Sequence, residues 1–81
     1  MERDLEINGR KFKVRELKAV EVDDIDWVDK KSAIKKQVVL STGISESEYN
    51  DLTVKERLSI ILCINQINGF EDFQKPVKQE I

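Results

Sequence analysis

Apolar and polar residues alternate on both sides of Asn8-Gly9, through Leu5-Glu6-Ile7 before it and Phe12-Lys13-Val14 after it. A period of two marks strands with one buried face, and Asn-Gly between two such runs is the strongest short signal for a type I′ turn. The pattern predicts a β-hairpin over residues 5–14, with Leu5, Ile7, Phe12 and Val14 on one face and Glu6, Lys11 and Lys13 on the other. A two-stranded hairpin is marginal in water, so its apolar face requires a helical cover. Beyond it the period changes. Residues 18–28 mix β-branched side chains with clustered Asp and read as one short, irregular helix. Residues 30–42 put Ala33, Ile34, Gln37, Val38, Leu40 and Ser41 on one side of a helical wheel and Lys31, Lys35 and Lys36 on the other, with Gly43 as the stop. Ser45-Glu46-Ser47-Glu48 and Thr53-Val54-Lys55-Glu56 are capping-box signatures, in which hydroxyl and carboxylate satisfy each other's backbone N–H groups. They predict a short helix over 46–51 and the principal helix over 54–68, stopped by Gly69.

Around the principal helix only Lys55, Ser59 and Gln66 make a plainly polar strip, and apolar residues cover more than half of the circumference. Such a helix is buried on several sides. The wheel turns Leu58, Ile61 and Leu62 toward the bundle and leaves Ile60, Ile64 and Ile67 pointing elsewhere. With Phe70 and Phe73 next along the chain, Ile60, Ile64, Ile67, Phe70 and Phe73 are the candidate protein-interaction residues; for the two aromatics the alternative is a place in the core. The reading is α+β: an N-terminal β-hairpin packed on a small three- to four-helix bundle. It forms a single domain over residues 1–73, and residues 74–81, past the break at Pro76, are expected to be a flexible C-terminal tail.

A chain of 81 residues makes one domain. At that size it buries only about 60–65% of the surface its unfolded form exposes, so a partner or an oligomer would help it. Fourteen Lys and Arg against sixteen Asp and Glu leave a net charge of −2 with the signs interspersed. Nucleic-acid binders draw affinity from neutralised phosphates, and this balance argues against that use. The one basic cluster, Lys30, Lys31, Lys35 and Lys36, reads as a solvated helix face. The acidic cluster Asp23, Asp24, Asp26 and Asp29 lacks the turn Gly and closing Glu of a calcium loop and reads as carboxylates near a helix start, with Asp29 as a cap. There is no histidine and a single cysteine, Cys63, set in an apolar run. Those counts remove histidine-based nucleophilic triads and leave a zinc site without ligands. The expectation is therefore a binding protein and not an enzyme, without metal or cofactor, without nucleic acid or membrane, working in the cytoplasm.

The string as a whole resembles the short tail assembly chaperones encoded by long-tailed phages and prophages. The resemblance runs through Ile7-Asn8-Gly9-Arg10-Lys11-Phe12-Lys13-Val14-Arg15-Glu16-Leu17, Val39-Leu40-Ser41-Thr42-Gly43-Ile44-Ser45, Tyr49-Asn50-Asp51-Leu52-Thr53-Val54-Lys55-Glu56 and Ile64-Asn65-Gln66-Ile67-Asn68-Gly69-Phe70. It covers about residues 5 to 73 and is one of pattern and spacing, with no catalytic signature. It implies a protein that coats the tape measure protein before and during tail-tube polymerisation, recruits tail-tube protein, and is absent from the finished particle. Weak homo-oligomerisation is a further expectation. The alternative from another class is a small phage or bacterial regulatory module that binds DNA through the lysine face of residues 30–42. A weaker third is one member of a toxin–antitoxin or anti-repressor pair.

Overall fold

Asn8 and Gly9 both adopt positive φ, 50° and 83°, which is the backbone of a type I′ turn. The turn sets the register of two antiparallel strands, β1 (Glu2–Ile7) and β2 (Arg10–Arg15), with Ile7 opposite Arg10, Leu5 opposite Phe12 and Arg3 opposite Val14. The computed structural model describes residues 1–70 of the chain. The strands run further from the turn than apolar alternation alone implies, to Glu2 and Arg15. Glu2 faces Arg15, Asp4 faces Lys13 and Glu6 faces Lys11, so the outer face of the hairpin is a ladder of opposite charges. The Glu16 N–H donates to the Met1 carbonyl at 2.9 Å and extends the pairing by one more step.

Four helices follow: α1 (Ala19–Asp23), α2 (Lys30–Thr42), α3 (Glu46–Asn50) and α4 (Val54–Asn68). The architecture is α+β, a two-stranded hairpin against a small helical bundle. Helix α1 is shorter than the expected span 18–28. After Asp24 local polar contacts displace the helical ladder: the Trp27 indole N–H donates to the Val22 carbonyl at 3.1 Å, and the Asp26 carboxylate accepts from the Val28 N–H at 3.1 Å. Such side-chain bonds offer the backbone an alternative to a further turn. Asp29 then caps α2, accepting from the Ser32 N–H at 3.2 Å, and Gly43 ends that helix with a φ of 75°. Ser45 and Glu48 complete the capping box of α3.

Helices α2 and α4 both lie on the inner face of the hairpin, and α3 packs on α2. The buried cluster joins Ile7, Phe12 and Val14 of the hairpin, Leu17, Val38 of α2, and Ile60, Cys63, Ile64 and Ile67 of α4, with Phe70 just beyond. Cys63 is thus a small apolar core side chain with a free thiol.

Arg15 ties the hairpin to α1. Its guanidinium donates to the Glu21 carboxylate at 2.7 and 3.0 Å, and the Lys18 N–H donates to the same carboxylate at 2.8 Å. Lys18 has no acceptor to offer in return, so only half of a capping box exists here. The Arg15 bonds first, and the Lys18 N–H second, pull the Glu21 carboxyl from 4.5 down to about 2.

Two outcomes follow. Gly9→Val forces a β-branched residue into positive φ and should cost on the order of 1–3 kcal/mol, read as a lowered midpoint in urea unfolding; an unchanged midpoint would refute the turn assignment. The second concerns acid. Because the folded value of Glu21 is the lower one, its contribution is fully present above pH 4.5 and is lost as pH falls from 4.5 toward 2. Amide shifts of α1 should move through that window in the wild type and lose this component in Glu21→Gln; identical acid titrations of the two chains would dismiss the Arg15–Glu21 link.

Candidate protein interface

Helix α4 is fastened at both ends, and the fastenings decide which of its faces meets solvent. At its start the Glu56 N–H donates to Thr53 Oγ1 at 3.1 Å, and the Thr53 N–H donates back to Glu56 Oε1 at 2.9 Å. Glu56 is only 3% exposed, and Arg10 Nη1 lies 3.2 Å from each carboxylate oxygen. The same guanidinium sits 5.3 Å from the centroid of the Phe12 ring, within cation–π range. Toward the far end Arg3 donates to Gln66 Oε1 at 2.7 Å. Asn68 accepts from the Leu17 N–H at 2.7 Å while its own amide donates to the Ile64 carbonyl at 2.9 Å. Gly69 then stops the helix in the left-handed region.

This rotation reverses the two faces that the wheel suggested. Ile60 and Ile64 are fully buried, and Ile67 and Phe70 are nearly so. Four of the five candidate interaction residues therefore belong to the core, and Phe73 lies outside the described residues. Leu58 and Leu62, expected to face the bundle, are 53% and 61% exposed, and Ile61 sits at the boundary. The cause is Glu56. It shares a helix face with Ile60, Ile64 and Ile67, at spacings of four, eight and eleven, and its carboxylate is drawn inward by Arg10. Arg10 in turn has the same strand parity as Phe12 and Val14, so it projects from the inner face of the hairpin. An inward-facing arginine at the turn, in need of a carboxylate, was the signal in the sequence that fixes the rotation.

The outward side of α4 consequently carries Val54, Leu58 and Leu62 in a row, with Ile61 beside them. Lys55 and Arg57 flank the row near its start. A smaller exposed apolar site lies at Trp27 and Val28, where the indole packs edge-on against Phe70 with ring centroids 6.3 Å apart. The lysine face of α2 is partly neutralised, since Lys35 pairs with Glu46 of α3 at 3.0 Å. Among the described residues there is no group of three or more His, Cys, Asp or Glu side chains that could hold a metal ion. No helix among them is long and apolar enough to cross a membrane. What the arrangement offers chemically is an apolar ridge on a rigidly held helix.

The two faces of α4 should separate in stability measurements. Ile64→Ala removes fully buried methylenes and should cost about 2–5 kcal/mol, whereas Leu58→Ala and Leu62→Ala should each stay within about 0.5–1 kcal/mol of wild type. Urea unfolding of the three variants decides it; a large loss for Leu58→Ala with a small one for Ile64→Ala would restore the opposite rotation. Compared with protein-family models, with curated proteins and with solved structures, the chain finds no match in any of the three.

Proposed function

We propose that this chain is a non-catalytic protein-binding module of the tail assembly chaperone kind, which holds an elongated helical client, the tape measure protein, while tail-tube protein assembles around it. The observation that carries the reading is the exposed row Val54, Leu58 and Leu62 on a helix whose opposite face is fully committed to the core. A small domain rarely leaves large aliphatic side chains contiguous on one helix unless something covers them. The resemblance in the sequence supplies the identity of the client, and the helical character of the exposed face suits a client that presents helices of its own. The DNA-binding alternative draws less support, because the lysines of α2 share their surface with Glu46 and Asp29 and the net charge is negative.

Co-expression with a tape measure protein tests the reading. The client should stay soluble with the wild-type chain and precipitate with Leu58→Asp or Leu62→Asp. Both variants should keep wild-type far-UV circular dichroism, because the altered side chains lie outside the core. A client indifferent to the wild-type chain would reject the chaperone function.

A further inference from the structure

The outer face of α4 has a charge character as well as an apolar one. Val54, Leu58, Ile61 and Asn65 follow one another at spacings of four, three and four, the repeat by which one helix seats another. From Val54 to Asn65 that seam is about 16 Å long. Beside it stand Lys55 and Arg57, and neither makes an ion pair with another described residue. The only carboxylate in α4, Glu56, is turned inward and paired with Arg10. Cations in the opening turns of a helix work against its own dipole, which already places partial positive charge there. Helix stability therefore gives no reason for Lys55 and Arg57, whereas recognition across the seam does.

We infer that the α4 seam is a docking site for an amphipathic helix that carries acidic residues beside its apolar stripe, at the end that lies against Lys55 and Arg57. The inference rests on the client-holding reading for its biological role but makes a separate claim about the chemistry of the occupant. A second copy of this chain fits less well. Two α4 helices laid antiparallel would oppose Lys55 and Arg57 to Leu62, Asn65 and Gln66, with no exposed carboxylate of either helix to meet them.

The test uses the full chain, isotopically labelled, and two synthetic helical peptides that share one Leu/Ile stripe at the four-three spacing. One carries Glu beside the stripe and the other Lys. The Glu peptide should shift amides along the outer face of α4, weaken as salt is raised, and bind at least about tenfold more tightly than the Lys peptide. The double variant Lys55→Glu/Arg57→Glu should reverse that order, and Leu58→Asp should abolish binding of either peptide. Equal affinities for the two peptides, or preference for the Lys peptide, overturn the acidic class while leaving client holding intact. Binding of neither peptide by a chain that still keeps the tape measure protein soluble overturns the seam as the docking site. Concentration-dependent shifts of the same amides in the free chain, with a dimer mass by sedimentation, overturn it in favour of a second copy. A chain that binds the Glu peptide as described but leaves the tape measure protein indifferent keeps this inference and loses the client.

Discussion

The Glu56 carboxylate closes the capping box at the start of α4 and receives the Arg10 guanidinium at 3.2 Å from the turn end of the hairpin, while almost wholly shielded from water. One side chain thereby determines where the principal helix begins, how it is rotated and which end of the hairpin it meets. A buried carboxylate is costly without hydrogen-bond partners, and here a backbone N–H and a guanidinium supply them together. Arg10 keeps part of its side chain in water and stacks on Phe12, so the pair spans the boundary of the core and does not sit at its centre. Every apolar contact of α4 inherits its direction from this anchor. The Arg3–Gln66 and Leu17–Asn68 bonds at the opposite end hold the helix to the same rotation.

The elements of the fold were largely legible in the chain because their signals are local. Asn8-Gly9 announces its turn through the φ values that glycine permits, and Thr53 with Glu56, Ser45 with Glu48, and Asp29 announce helix starts through hydrogen bonds three residues away. Gly43 and Gly69 mark the ends of α2 and α4 in the same way. The orientation of α4 was not legible by periodicity. Its sequence is apolar around most of the circumference, so a wheel offers two nearly equivalent stripes, and the choice between them depends on a partner 46 residues earlier. Ile60, Ile64 and Ile67 were assigned to the outer face for that reason. The shortening of α1 had a comparable origin, since the Trp27 indole N–H competes with the backbone for a carbonyl only once the chain has already turned.

The domain divides its polar and apolar surfaces by element. The outer face of the hairpin sets Glu2, Asp4 and Glu6 opposite Arg15, Lys13 and Lys11, an interspersed charged surface that discourages further strands from adding to it. Helix α4 presents aliphatic side chains outward with cations at one end of the row and its one carboxylate withdrawn. The two surfaces thus differ in the balance of their charge: the hairpin face interleaves both signs, and the α4 row is flanked by cations alone. The one with charge of a single sign is also the one with a row of uncovered aliphatic side chains.

The connection between β1 and α4 also constrains how the molecule is made. Arg3 reaches Gln66 across 63 residues of sequence, and Leu17 reaches Asn68 across 51. The hairpin is local in sequence, yet the helix that covers much of its inner face leaves the ribosome only after α1, α2 and α3. Until α4 emerges, Ile7, Phe12 and Val14 lack most of their cover, and loop closure over such a span delays the contacts that would provide it. During synthesis the exposed inner face is therefore a temporary adhesive surface.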